Sequence, residues 1–337
     1  MNVAALVIIL LAVLVGPLLF KSIERNIDIF FLITGILAAL ISGEFGWRLA
    51  RDAAIAPIAL AGAVLVFGAI VRLARSTLER WFERLLETVS PRAVCLMLIG
   101  MLGLIASLIT AVIAALVLVE TVVLMKLERS SEMPIVVLAC FAIGLGAALT
   151  PVGEPLSTIA ISALGADFWY LARLLGPMVL VGIVIVALVS LALPIKLNGS
   201  RIAASDTEGW SEIAIRAGRV YLFVAGLVAL SAAIRPLVDT YITELPIGYL
   251  FWLNSLSAVV DNATLAAAEI GPALTHSQQR TVLMGLLISG GMLIPGNIPN
   301  IIAANRLGIS SCEWAHAGLV IGLPLMLVCF LVLKWIA

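Results

Sequence analysis

Long runs of apolar residues constrain this chain more than any other feature of its sequence. Of the 337 residues, 63% are hydrophobic and only 12% are charged. Several runs exceed the roughly 20 residues that a helix needs to cross about 30 Å of hydrocarbon. Within lipid every backbone polar group must be satisfied inside the protein, which favours helices for runs of this kind. The sequence therefore predicts an all-α polytopic membrane protein, a single domain over 1–337 with about eight transmembrane helices.

The composition also excludes several classes of function. The formal net charge is zero, so no basic surface favours nucleic acid. The cysteines and histidines stand singly and form no metal or disulfide pattern. The motifs of serine hydrolases, zinc peptidases and nucleotide-binding loops do not occur. We therefore predict that the protein is not an enzyme, has no cofactor and binds neither nucleic acid nor ATP.

The regular part of the chain is predicted from length and periodicity. Ordinary helices are predicted at about 3–20, 27–42, 53–74, 171–193, 213–234 and 314–335. The charged segment 76–93 has apolar residues at helical spacing, which predicts a separate amphipathic helix lying on the membrane surface. The polar stretch 194–212 is predicted to be a cytoplasmic linker.

Four segments do not fit a regular helix. In 94–125 and 247–268, small and polar residues interrupt an apolar run, which predicts two re-entrant hairpins. The runs 134–164 and 281–307 are interrupted by sequences with two prolines around a glycine, which predicts two broken helices. Such breaks are tolerated at membrane depth only against protein or a water-filled cavity.

The second half of the chain repeats the plan of the first. An offset of 143 residues superimposes, without a gap, Gly153 on Gly296, Ile159 on Ile302, Ala160 on Ala303, Leu164 on Leu307 and Gly165 on Gly308. An offset of 147 places Thr110-Ala111-Val112 on Ser257-Ala258-Val259. The repeats are predicted to cover 53–193 and 213–337. An odd number of crossings separates equivalent points, so the second repeat is predicted to be inverted.

The basic residues of the loops predict the orientation. We place in the cytoplasm Arg72, Arg75, Arg80, Arg84 and Arg92. Most of the remaining lysines and arginines then also fall inside, as the positive-inside rule expects. Both termini lie outside in this topology, and the two hairpins enter from opposite sides.

One acidic residue, Asp261, is the strongest functional candidate because it lies in the otherwise apolar run 247–268. An ionised aspartate at membrane depth costs at least a few kcal/mol, so such a residue indicates a functional site. Broken helices add free carbonyls and half-helix N-termini, which suit ions. The candidate ion-binding residues are Ser257, Asp261, Asn262 and Thr264, then Ser107, Thr110 and Glu120, and in the breaks Thr150, Glu154, Ser157, Thr158, Asn297 and Asn300. Among these, Asp261, Asn262 and Glu154 are the predicted ligands of an alkali cation.

Structural roles stay open for several of these residues. Asp261 could pair with a buried arginine or cap a helix, and Glu154 could cap the second half-helix of its break. Glu120 and Glu269 could face a polar cavity or reach the membrane interface. Serine and threonine often bond back to the preceding turn of their own helix.

The sequence Ser-Ala-Val-Val-Asp-Asn at 257–262, followed by Gly290-Gly291 and the break 295–300, resembles the ion-transporter superfamily. The likeness is to its arsenite-pump and NhaD-type sodium/proton antiporter branch, and to a short prokaryotic family of cation transporters. It covers the chain from about residue 53 to the end. It implies a transport domain that moves, elevator-like, against a homodimeric scaffold in a prokaryotic inner (plasma) membrane. The residues carried over from the resemblance are Ser257, Asp261, Asn262, Asn297 and Asn300.

The chain departs from that branch in its first hairpin. NhaD-type proteins carry an Asp-Asn pair there as well, whereas the aligned residues here are Ala114 and Ala115. A second carboxylate would therefore come from Glu154 or Glu120.

We expect a secondary transporter of small inorganic cations, specifically a sodium/proton antiporter with an elevator mechanism. Sodium ions and protons are its expected partners, and Asp261 would bind them in competition because low dielectric favours the neutral carboxyl. The alternative is a sodium-coupled symporter of a small organic or inorganic anion held by half-helix N-termini. Neither hairpin contains an arginine or lysine that would support the anion.

Overall fold

A computed structural model describes residues 3–197, 209–241, 246–259, 262–271 and 274–336. The described residues form α-helices and short 3₁₀ turns, without a β-strand. The first nine helices are α1 (Val3–Leu19), α2 (Lys21–Arg25), α3 (Ile27–Ser42), α4 (Trp47–Thr88), α5 (Pro91–Ile109), α6 (Ala111–Met125), α7 (Arg129–Ala147), α8 (Pro155–Leu164) and α9 (Tyr170–Ala192). The others are α10 (Trp210–Tyr241), α11 (Ile247–Leu253), α12 (Asn262–Glu269), α13 (His276–Gly290), α14 (Ile298–Leu307) and α15 (Ser311–Ile336), with 3₁₀ turns at Asn254–Ala258 and Ile294–Gly296.

Six of the described helices are long and apolar enough to cross a membrane. These segments are Trp47–Ala74, Pro91–Ile109, Arg129–Ala147, Tyr170–Ala192, Trp210–Pro236 and Ser311–Ile336. The chain is therefore an all-α, multi-pass membrane protein, as its composition predicts. The shorter apolar helices include α3, whose bounds coincide with the predicted 27–42.

The predicted surface helix at 76–93 is not a separate element, and that prediction was wrong. The apolar span and the charged segment belong to one continuous helix, α4, which ends at Thr88. No glycine or proline occurs in 69–88, so nothing in the backbone ends the helix where its polarity changes. A new helix, α5, begins only at Pro91, where the Ser90 hydroxyl accepts a hydrogen bond from the Ala93 N–H.

The helices pack as two groups. In the first group α10 packs mainly against α3 and α4, and α3 also contacts α1 and α2. Phe31 of α3 stacks on Phe223 of α10 with ring centroids 4.6 Å apart. In the second group α5, α6, α7 and α9 pack on one another, and α11 and α12 pack on α13. Within this second group, contacts of α6 with α14 and of α8 with α12 join the two halves of the chain.

A small hydrophobic cluster, distinct from the main core, lies between the two groups. Its buried members are Leu60, Val64, Ala115, Leu116, Ala217, Val220 and Ile302. They come from α4 and α10 of the first group and from α6 and α14 of the second. The direct contacts of α4 with α6 and of α10 with α12 and α14 are less extensive than those of α10 with α3 and of α5 with α7.

The crossing of α5 and α7 can be tested at Gly146. A Cβ atom placed there would lie 1.6 Å from the Gly103 carbonyl oxygen, whereas a Cβ atom on Gly100 would meet open space. We expect Gly146→Ala to push the helices apart and to lower the free energy of unfolding by about 1–3 kcal/mol. Gly100→Ala should be neutral or slightly stabilising, because alanine favours a helix. Thermal unfolding in detergent compares the two variants, and a wild-type melting temperature for Gly146→Ala would contradict the close crossing.

Candidate functional site

Two helices are interrupted where the sequence predicts breaks. The first interruption separates α7 from α8, and the second separates α13 from α14. Each second half-helix follows an extended residue, Glu154 (φ −155°) or Asn297 (φ −153°). Each has ten residues and ends at a left-handed glycine, Gly165 or Gly308. The 143-residue offset of the sequence is therefore also the offset between these two helices.

The tip of the first hairpin is bonded to the first break. The interruption predicted within 106–111 lies at Thr110, between α5 and α6, where φ is +75°. This conformation is strained for a β-branched residue. The next residue, Ala111, donates its N–H to the Gly153 carbonyl at 2.9 Å. The Thr150 hydroxyl donates to the carbonyl of Ser107. These bonds hold the strained turn against the break.

The second hairpin is held by α13 and the second break. The Ser257 hydroxyl is fully buried and lies within hydrogen-bond distance of the Leu286 carbonyl and the Ser289 hydroxyl. The Ser289 hydroxyl also donates to the Asn254 carbonyl at 2.7 Å. Gly296 lies so close that a Cβ atom there would be 2.9 Å from the Ser257 carbonyl oxygen. Ser257 therefore has a structural role within the hairpin.

The 147-residue offset of the sequence aligns Asp261 and Asn262 with Ala114 and Ala115 of α6. Neither alanine is acidic, so the first hairpin lacks the carboxylate at the aligned position.

Two asparagines stabilise the second break. One bonds within the break, and the other contacts a helix of the first half of the chain. Asn300 is fully buried, and its Nδ2 donates to the carbonyls of Gly290 and Leu293, both at 2.8 Å. Asn297 caps α14 by accepting its first N–H at 2.9 Å. Its Nδ2 lies against α7, because a Cβ atom on Gly144 would be 2.6 Å away. The structure thus places the second break against α7, the helix that precedes the first break.

Three of these buried amides have atoms without a hydrogen-bond partner among the described residues. The atoms are Nδ2 of Asn262, Nδ2 of Asn297 and Oδ1 of Asn300. Asn262 and Asn300 both lie at Gly290, since a Cβ atom on Gly290 would be 3.4 Å from the Asn262 Nδ2. A buried polar atom without a partner costs about 1–3 kcal/mol. This cost makes the junction of α12, α13 and α14 suited to a polar ligand.

Glu154 is buried in the first break, with 5% of its surface exposed. It occupies the N-cap position of α8, but its side chain makes no capping hydrogen bond to that helix. The glycine before it is required, because a Cβ atom on Gly153 would lie 1.9 Å from the Ala147 carbonyl oxygen. The structure therefore does not support the capping interpretation of this carboxylate.

The hydroxyls of the first half of the site bond within the protein. Ser157 donates to the Ala148 carbonyl at 3.0 Å, and Thr158 donates to the Pro151 carbonyl at 2.7 Å. The Ser107 hydroxyl reaches only the preceding turn of its own helix, at 3.5 Å. Ion binding by these residues stays a prediction.

Glu120 has an arginine partner. The Arg306 Nε donates to its Oε1 at 2.9 Å, and Nη2 donates to Oε2 at 3.4 Å. A cavity of about 10 Å³ beside the pair is also lined by Val64 and by Arg216. Glu120 thus lies where α6 and α14 meet α4 and α10, and its ion-binding role stays a prediction. No local signal in the sequence predicts this pairing across 186 residues.

Asp261 and the side chain of Thr264 lie outside the described residues. Asn262, the neighbour of Asp261, is described and is 4% exposed. In the described part of the chain, no three histidine, cysteine or acidic side chains form a group that could hold a metal ion.

The interrupted helices and the enclosed polar side chains define a class: an α-helical, multi-pass membrane protein with irregular backbone inside it. The chain belongs to the family described as a protein of unknown function (DUF1646), whose model matches residues 3–336. None of the curated proteins compared with the chain matches it.

The Glu120–Arg306 pair can be measured with a double-mutant cycle. We expect Glu120→Ala and Arg306→Ala to be coupled by about 0.5–3 kcal/mol, because both side chains are largely buried and in contact. A second cycle on Asp167 and Arg173, which form an exposed ion pair, should give a smaller coupling. Unfolding in detergent measures both cycles. Strictly additive effects at Glu120 and Arg306 would contradict the pairing.

Proposed function

We propose that the protein is a secondary transporter of small inorganic cations that exchanges sodium for protons across a prokaryotic inner membrane. One observation carries the proposal. Two interrupted helices and two interrupted hairpins pack on one another, and Asn262, Asn297 and Asn300 are buried among them with unpartnered polar atoms. Irregular backbone of this kind is the usual ion site of secondary transporters.

The chemistry of the junction fits a hard cation. Such a cation binds oxygen ligands, and the broken helices supply carbonyls that no longer bond within a helix. The vacant Oδ1 of Asn300 is one further acceptor. Asp261, next to the buried Asn262, would balance the charge, and Glu154 would be the second carboxylate. A carboxylate in low dielectric takes up either a proton or a cation, which is the basis of exchange.

The division into two helix groups supports an elevator mechanism. The second group contains both hairpins and both breaks, and it contacts α4 and α10 through the small cluster around Val64 and Ile302. A small apolar interface of this kind allows one group to slide against the other. In this proposal 53–193 and 213–337, which contain α5–α9 and α11–α15, are inverted repeats, related by the offset that superimposes α8 on α14. The resemblance further implies a homodimer through the first group.

Flux into proteoliposomes tests the proposal. Purified protein is reconstituted, a sodium gradient is imposed, and proton movement is followed with an internal pH-sensitive dye. We expect sodium-driven proton flux in the wild type and none above empty liposomes for Asp261→Asn, because an amide cannot exchange a proton for a cation. Glu44→Gln, at an exposed acid in the turn before α4, is the matched control and should transport normally. Normal exchange by Asp261→Asn would remove Asp261 from the mechanism.

A second candidate function is a sodium-coupled symporter of a small anion. The unpartnered atoms of Asn262 and Asn297 are amide nitrogens, which donate hydrogen bonds, and Asn297 lies at the N-terminus of α14. Donors at a helix N-terminus favour an anion. In the same proteoliposomes, sodium uptake that depends on added organic or inorganic anions would support the symporter. Exchange that is independent of every added anion would support the antiporter.

A further inference from the structure

A second buried acid, Glu269, takes no part in the junction described above. It is the last residue of α12 and is 8% exposed. Neither carboxyl oxygen has a hydrogen-bond partner among the described residues. The C-terminal end of a helix carries partial negative charge, which further disfavours an ionised carboxylate there. A carboxyl group in these surroundings requires a compensating proton or cation.

Asn254, in the 3₁₀ turn of the same hairpin, lies close enough to interact with this carboxyl group. Its Nδ2 donates to the Val282 carbonyl at 3.3 Å, and its Oδ1 has no partner in the described structure. The two carboxyl oxygens of Glu269 thus accept no hydrogen bond from the described residues. A proton or a cation bound to the carboxyl group would satisfy them.

No charged side chain of the elements packed against α12 forms an ion pair with Glu269 in the described part of the chain. These elements are α8, α10, α13 and the 3₁₀ turn. Helix α8 and the turn contain no ionisable side chain. The described ionisable residues of α10 and α13 are Glu212, Arg216, Arg219, Tyr221, Arg235, His276 and Arg280. Of these, Arg216 lines the cavity beside Glu120, and Arg280 donates to the Leu174 carbonyl.

Glu120 is the natural comparison for Glu269. Both acids lie on the second arm of a hairpin, and α6 packs on α14 as α12 packs on α8. Glu120 is neutralised by Arg306 of α14. Under the 143-residue offset, the residue of α8 in place of Arg306 is Ala163. Glu269 therefore has no equivalent of Arg306 on α8.

We propose that Glu269 is a proton-binding site in the second hairpin, where a proton neutralises its buried carboxyl group. The site itself does not depend on the transport function. Its role does rest on the proposed exchange, in which the proton that competes with sodium at Asp261 would be transferred by way of Glu269.

Carbodiimide labelling tests the site in the wild-type protein. Dicyclohexylcarbodiimide is apolar and modifies protonated carboxyl groups buried in apolar surroundings. Protein in liposomes is labelled over a pH series, and peptides are resolved by mass spectrometry. We expect label on Glu269 that declines as the pH rises, since only the protonated form reacts. Glu120, ionised beside Arg306, is the internal control and should stay unlabelled. Label on Glu269 no greater than on Glu120 at every pH would overturn the proposal.

A flux experiment on Glu269→Gln separates this inference from the proposed function. Glutamine keeps the shape of the protonated acid but releases no proton. We expect sodium/sodium exchange to continue and sodium-driven proton flux to fall to the level of empty liposomes. Full proton coupling in Glu269→Gln would overturn the role of Glu269 in exchange. A wild type without any flux would overturn the proposed function, while the labelling result would still decide whether Glu269 holds a proton.

Discussion

Where a helix is interrupted inside an apolar protein, its free backbone N–H and carbonyl groups must form hydrogen bonds within that protein. The rest of this structure depends on that requirement. An unsatisfied N–H or carbonyl in hydrocarbon costs several kcal/mol. The N–H of Ala111 therefore bonds to the first break, and Asn300 bonds to two carbonyls of the second. The indole of Trp314 donates to a further one, at Gly291. The tip of the first hairpin is thereby fixed to the first break, and the second break is held by Asn300.

Charged residues are distributed by the same rule. Arg129, at the start of α7, donates to Glu132 and Glu313 and to the carbonyls of Leu307 and Gly308. It thus satisfies the last carbonyls of α14 and joins the two halves of the chain. Such pairing neutralises each charge within the fold. Glu269 has no such partner among the described residues, which is why a proton is the simplest neutralising ligand.

The contrast between packing within and between the helix groups bears on mechanism. Within the first group the backbones of α3 and α10 touch, since a Cβ atom on Gly35 would lie 2.3 Å from the Gly226 carbonyl oxygen. Between the groups, the contacts of α4 with α6 and of α10 with α12 and α14 are less extensive than the contact of α10 with α3. Glu120 and Arg306 lie beside the contacts between the groups, both on the second group. They would therefore move together in an elevator step, and their ion pair would not have to break.

Local sequence signals determined the helices and their breaks. Two prolines around a glycine interrupt each broken helix, so the offset between Gly153 and Gly296 already specified how α8 and α14 correspond. A single proline does not have this effect, since Pro57 and Pro177 lie within α4 and α9. The same signals failed at the end of α4, where polarity changes but the backbone has no reason to stop. Only the tertiary structure decided that Glu120 meets Arg306 and that Glu269 meets Asn254. Partners far apart in sequence leave no trace in periodicity or composition, because packing alone brings them together.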